Sequence, residues 1–191
     1  EALTDGAADN PVAVGEIIES ESRRLERLVG DLLLLARLEG TGFAYNIAPL
    51  DIALIAEETV DGLRQDASER GVGLRIRRPD GSVRAEVDHD RFGQVVANLV
   101  GNALKFADAE VGIMLWFAEE KIHLAVSDDG PGISESDLHH VFERLYVSQQ
   151  NPKVKESGSG LGLAIVRELV DGMGGTVMAR RATGGGAEFV V

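Results

Sequence analysis

The stretch from Asp88 to Ala107, DHDRFGQVVANLVGNALKFA, constrains the fold more than any other part of this chain. Its apolar residues Phe92, Val95, Val96, Leu99, Val100, Ala103 and Leu104 recur at helical spacing and mark one buried face of an amphipathic helix. Asp88 stands where an N-cap is needed, its carboxylate able to accept from the free N–H groups of the first turn. The core does not account for Asn98, Asn102 and Lys105, which follow one another at steps of four and three and so stack along one side of the helix. A solvated face is the plain alternative. Asparagine, however, is a poor helix former, because its amide competes for nearby backbone groups. A neutral amide oxygen is a hard ligand suited to a magnesium ion that already holds phosphates, and a lysine one turn further on can meet phosphate oxygens as a point charge.

Several function classes drop out on composition. A formal net charge of −13 argues against a nucleic-acid-binding surface, which selects basic patches. The chain has no cysteine, so it forms neither a disulfide framework nor a thiolate metal site, which fits a reducing compartment. No aliphatic run is longer than Leu32 to Ala36, far short of the roughly 20 residues that span a bilayer. No membrane contact is expected, and the acidic start shows no signal-peptide pattern. A length of 191 residues and 44% hydrophobic content allow one good-sized domain plus an appendage.

Residues 1–40 read as that appendage. After a polar start, a helix from about Val12 carries Ile18, Leu25, Leu28, Leu32 and Leu35 as a heptad-like seam, widened by Val29, Leu33 and Ala36. Such a face needs a second helix, from this chain or another copy, or the globular domain behind it. Residues 41–50, in a glycine- and proline-containing stretch that begins near Glu39, read as a flexible junction.

From Asp51 to Val191 the pattern alternates helices with short strands. Leu50 to Arg70 is helical by periodicity and closes on Gly71, and strand candidates Val72–Ile76 and Val83–Val87 flank a Pro79-Asp80-Gly81 turn. Beyond the opening helix, Val111–Ala118 and Lys121–Asp128 form an antiparallel hairpin around Glu119 and Glu120. Ser134 caps a short helix, Leu161–Met173 is another amphipathic helix, and Thr176–Arg180 with Ala187–Val191 closes the chain as a hairpin. The expected class is α+β, a two-layer α/β sandwich in which helices cover one face of a mixed sheet, preceded by the long heptad-patterned helix.

Two glycine segments lie where strands or loops give way to helices. Asp128-Asp129-Gly130-Pro131-Gly132-Ile133 offers a carboxylate that can accept from an exocyclic amine, beside backbone that can approach a ligand closely. Gly158-Ser159-Gly160-Leu161-Gly162-Leu163 leads into a helix whose N-terminal dipole favours phosphate. It is neither a Rossmann fingerprint nor a Walker loop.

The ordered combination of Asn-x-x-x-Asn-x-x-Lys, DDGPGI, Val-Phe-Glu-Arg-Leu-Tyr and GSGLGLAIV closely resembles the ATP-binding catalytic domain of sensor histidine kinases, with a Bergerat-type ATP-binding fold, over about Asp51 to Val191. ESESRRLERLVGDLLLLARLE is similar to the second helix of that family's dimerisation hairpin. The resemblance implies ATP and Mg²⁺ as cofactors. It assigns Mg²⁺ to Asn102, with Asn98 beside it and Lys105 on the phosphates, the latter two as the catalytic pair. It assigns the adenine amine to Asp128 and the adenine floor to Gly130, Gly132 and Ile133. The phosphate wrap falls to Gly158, Ser159, Gly160, Leu161, Gly162 and Leu163. Phe142 and Tyr146 match the family's phenylalanine box, with Tyr146 at the nucleotide, and Glu143 to Ser157 match its lid. Related ATPases carry a glutamate base where this chain has Asn98. An amide cannot take a proton from attacking water, so phosphoryl transfer to a histidine is favoured over hydrolysis.

Two positions depart from the family. Val147 stands where an arginine follows the box aromatic, with Arg144 or Lys153 as possible substitutes. None of His89, His123, His139 and His140 has the phosphoacceptor context, so this cytoplasmic piece of a larger, membrane-anchored protein is expected to bind Mg-ATP without phosphorylating itself. Its implied partners are its own dimerisation and phosphoacceptor domain in a homodimer and a response regulator. A non-catalytic nucleotide-binding interaction module and a related ATPase are the competing readings.

Overall fold

The computed structural model describes residues 11–40, 43–146 and 160–191. In chain order it contains α1 (Pro11–Glu39), β1 (Ala48–Asp51), α2 (Ile52–Gly62), α3 (Arg64–Glu69), β2 (Gly73–Arg77), β3 (Arg84–Val87), α4 (His89–Phe106), β4 (Glu110–Ala118), β5 (Lys121–Asp128), α5 (Glu135–Leu138), α6 (Gly162–Gly172), β6 (Met178–Arg181) and β7 (Ala187–Val190). The main sheet runs β2-β4-β5-β7-β6; β2 and β4 are parallel and every other pair is antiparallel. Helices α2, α4 and α6 pack together over it, which is the expected two-layer α/β arrangement.

α4 is the centre of the helical layer, contacting α2, α6, β4 and β5. All seven of its predicted core residues are buried, and the Asp88 carboxylate accepts from the Arg91 N–H at 3.1 Å as the cap. The β4–β5 hairpin pairs Ala118 with Lys121 across Glu119 and Glu120, both at positive φ (49° and 62°). A two-residue turn needs that backbone to match the twist of the strands, and here two glutamates adopt it in place of the usual asparagine and glycine.

Three expectations need correction. The strand candidates around the Pro79-Asp80-Gly81 turn do not pair with each other; β2 joins the main sheet, whereas β3 pairs antiparallel with β1 in a separate two-stranded sheet. β1 falls in the stretch read as a junction. The residues just before it are docked: Phe43 lies 5.1 Å from the Arg91 guanidinium, Tyr45 donates to the Glu168 carbonyl at 3.4 Å, and the Asn46 N–H donates to Asp88 at 2.8 Å. Aromatic rings with a protein surface in reach bury themselves against it, whatever glycines and prolines stand nearby. The helix expected over Leu50 to Arg70 breaks after Gly62, a weak helix former, into α2 and α3.

The heptad seam of α1 divides. Leu35 is buried and Leu28, Leu34 and Leu38 pack against the core, where α1 meets α6. Ile18, Leu25 and Leu32 face outward with Val29 and Leu33, Ile18 and Leu25 each 59% exposed.

Candidate functional site

β5 ends in the carboxylate that the sequence singled out. Asp128 is 5% exposed, and its Oδ1 accepts from the Gly130 N–H at 3.0 Å and the Ala187 N–H at 3.3 Å. Oδ2 takes no hydrogen bond among the described residues. Burial pushes the carboxyl above its usual range, with the two N–H donors acting against that shift.

The wall around Asp128 is backbone. A Cβ on Gly130 would stand 2.1 Å from the Phe106 carbonyl oxygen, and one on Gly186, at φ +82°, would stand 1.9 Å from that of Asp128. At Gly132, with φ +76°, a Cβ would stand 2.8 Å from the Gly186 carbonyl oxygen. Only glycine allows these three turns to interlock. The sequence alone singles out Gly130 and Gly132 but places Gly186 in the turn of the terminal hairpin and Ala187 at the start of its second strand. The signal was the run Gly184-Gly185-Gly186, which leads into Ala187, whose N–H reaches Asp128 across 59 positions of chain.

α4, whose last residue Phe106 abuts this wall at Gly130, carries the polar line. Asn98 donates through its amide nitrogen to the Gly162 carbonyl at 3.4 Å, tying α4 to the first turn of α6. Asn102 is half-buried and its side chain makes no hydrogen bond among the described residues. Lys105 is half-buried; desolvation first, then the Arg27 and Arg70 charges, lower its pKa, and Asp31 acts the other way. It therefore lies on the side of α4 reached by charges from α1 and the end of α3.

α6 starts without a side-chain cap, Leu161 itself being buried. Gly160, at φ +69°, accepts from the Leu145 N–H at 3.0 Å, and Leu145 is also at positive φ (57°). The chain on either side of residues 147–159 is thus pinned together. Phe142 is buried edge-on to Phe189 with the Arg167 guanidinium 4.7 Å from its ring centroid. Tyr146 donates to Asp137 at 2.8 Å, a bond that raises its pKa. Arg144 pairs with Glu168 at 3.6 Å. Ile133 and Leu163 pack against the core from the site's edges. Val147, Lys153, Gly158, Ser159 and the lid from Val147 onward lie outside the described residues.

The histidines have other surroundings. His89 contacts Asp90 at 3.1 Å, His123 stacks on Trp116, His140 meets Glu143 at 2.7 Å, and His139 caps α5 in the open. Among the described residues no cluster of three or more metal-ligating side chains exists, and no helix is long and apolar enough to cross a membrane.

Residues 87–191 match the family described as "Histidine kinase-, DNA gyrase B-, and HSP90-like ATPase". The chain is 31% identical to sensor histidine kinase WalK of Bacillus subtilis over 97% of its own length and 31% of the relative's. It is 34% identical to signal transduction histidine-protein kinase AfsQ2 of Streptomyces coelicolor over 92% of its length and 31% of the relative's. The chain thus spans about a third of these relatives. Full-length ShkA in complex with AMPPNP superposes with a TM-score of 0.77 at 29% identity, covering 93% of this chain and 37% of that one. The Acinetobacter baumannii histidine kinase AdeS reaches the same TM-score, 0.77, at 22% identity over 99% of this chain and 87% of that one, a likeness of fold.

Proposed function

From the premise that the chain belongs to the histidine kinase-, DNA gyrase B- and HSP90-like ATPase family, we propose that it is the ATP-binding catalytic part of a sensor histidine kinase, presenting Mg-ATP to a histidine outside this sequence. One observation carries the reading. A nearly inaccessible carboxylate with one unused oxygen sits in a wall of side-chain-free backbone that abuts the end of α4, the helix that carries Asn102 with its side-chain amide making no hydrogen bond among the described residues.

The residues fit a magnesium nucleotide. Asp128 Oδ2 is available to accept from an adenine amine, and the Gly130, Gly132 and Gly186 backbone leaves a flat base the room a side chain would take. Asn102 offers a neutral amide oxygen, which suits an ion whose other ligands are phosphates and water, and the absence of a carboxylate cluster among the described residues agrees with that division. The first turn of α6, which follows Leu161 and begins at Gly162 with no side-chain cap, supplies a favourable dipole for phosphate oxygens, and Lys105 adds a cation. Gly158, Ser159, Gly160, Leu163, Ile133 and Tyr146 complete the proposed binding set. When bound, Mg²⁺ neutralises phosphate charge as the phosphoryl group leaves. Asn98 has no basic atom to deprotonate water, which supports transfer to a histidine rather than hydrolysis.

Within this reading, residues 1–40 are the second helix of a dimerisation hairpin, 41–50 the linker and 51–191 the catalytic domain. β1 joins the last two through its pairing with β3. The outward seam of α1, Ile18, Leu25, Val29, Leu32 and Leu33, is the proposed homodimer surface. The response regulator takes the phosphoryl group from the histidine. The setting is cytoplasmic, where ATP is available.

Titration with nucleotide tests the proposal. Mg-dependent ATP binding is expected, with Asn102→Ala weakening it by about tenfold or more through lost metal coordination. No Mg-dependent binding at millimolar ATP refutes the reading, and an unchanged affinity in the variant removes Asn102 from its role.

A further inference from the structure

Asp129 adjoins the proposed base-reading carboxylate but turns away from it, and nothing above uses it. Its carboxylate accepts from three consecutive N–H groups, those of Asp108 (2.9 Å), Ala109 (3.1 Å) and Glu110 (3.1 Å). The Ala109 and Glu110 N–H groups each reach both of its oxygens. These donors occupy the link between the last residue of α4, Phe106, and the first of β4, Glu110. Right beside it the Gly130 backbone rests on the Phe106 carbonyl, so close that a Cβ would stand 2.1 Å away. Asp129 and Gly130 thus fasten the end of α4 to the turn after β5 from two sides. The Ala109 N–H above all, then those of Glu110 and Asp108, hold the Asp129 carboxyl below its usual range, so these are charge-assisted bonds at neutral pH.

The two elements joined here carry the two halves of the proposed nucleotide site, Asn98, Asn102 and Lys105 on α4 and Asp128 at the end of β5. A base and its phosphates are covalently linked, so both halves are useful only at one spacing. We propose that Asp129 is a positioning residue for base selectivity: its staple across residues 108–110 holds Asp128 where it can read an adenine amine while α4 engages the phosphates. Asp129 itself touches no ligand. The inference rests on the ATP-binding reading.

The test compares Mg-ATP with Mg-inosine triphosphate, which lacks the exocyclic amine, on the wild-type chain, Asp129→Asn and Asp129→Ala. The wild type is expected to prefer ATP by about tenfold or more, the size of a hydrogen bond to a charged acceptor. Asp129→Ala should bring that ratio close to one, by weakening ATP binding about tenfold while inosine triphosphate binding changes by less than about twofold. Asp129→Asn keeps an acceptor oxygen and should recover part of the ratio. A merely structural role lowers both affinities together, so an unchanged ratio in Asp129→Ala overturns the inference. If the alanine variant does not fold, Asp129→Asn decides alone: a ratio cut severalfold supports the staple and an unchanged one overturns it. A wild type that binds neither nucleotide refutes the ATP-binding reading and this inference with it, whereas one that binds both equally overturns this inference alone.

Discussion

α1 and α4 are written in the same pattern and end in different situations. Both repeat apolar residues at helical spacing, yet every predicted core residue of α4 is buried, whereas α1 buries Leu35 and leaves Ile18, Leu25, Val29, Leu32 and Leu33 exposed. α4 lies on a five-stranded sheet with α2 and α6 at its sides; α1 touches the domain chiefly along α6. An apolar stripe states that a face must be covered, and it says nothing about whether the cover is in the same chain.

The contrast breaks most readily with two leucines. Leu99→Ala in α4 opens a cavity at a fully buried position and should cost about 2–5 kcal/mol in urea unfolding. Leu32→Ala, 48% exposed on α1, should stay within about 0.5 kcal/mol in the dilute monomer. Similar losses at both sites would mean that α1 is as firmly covered as α4.

pH separates the buried site from the exposed surface next. Because burial raises the Asp128 pKa above 3.8, acidification should protonate it before ordinary surface carboxylates, and ATP affinity should fall across that window by about tenfold. The same shift makes the ionised carboxylate a cost to the fold, present above the raised pKa and relieved as pH falls through it toward the unfolded value. Asp129 has the opposite sign: its stabilising bonds persist until pH falls through its depressed pKa. Asp128→Asn, which keeps an acceptor oxygen without charge, should flatten the affinity profile; a wild-type profile that is already flat would remove Asp128 from base reading.

Glycines give the smallest and sharpest comparison. Gly30 in α1 has nothing within 4 Å of where a Cβ would stand, so Gly30→Ala should stabilise α1 by up to about 1 kcal/mol, seen as added helicity and a higher unfolding midpoint. At Gly130 the same change drives a methyl group into the Phe106 carbonyl and should abolish nucleotide binding. Tolerance of alanine at Gly130 would show that the wall around Asp128 yields.

Much of the site could be read before any coordinates, because its residues lie in short segments with local signals: the Asn98 and Asn102 steps, the DDGPGI turn, and the glycines leading into α6. The β4–β5 register was equally legible, since a hairpin joins neighbours in sequence. The other pairings were not. β1 with β3 and β2 with β4 bring together residues distant in the chain, and such ladders leave no mark on either strand taken alone. The docking of Phe43 and Tyr45 escaped notice for the same reason: a loop composition describes the chain's own flexibility and ignores the surface it meets.

Amino-acid order alone set the α4 face and its cap, the β4–β5 turn, and the identity of the groups offered to a nucleotide, because each depends on torsional preference or spacing within a few residues. The closure of that site came from packing: Gly186 over Asp128, Asp129 across residues 108–110, and Asn98 on Gly162. Those contacts exist only once the sheet has brought the ends of β5, β7, α4 and α6 together, and their geometry is fixed by atoms that no local window of sequence contains.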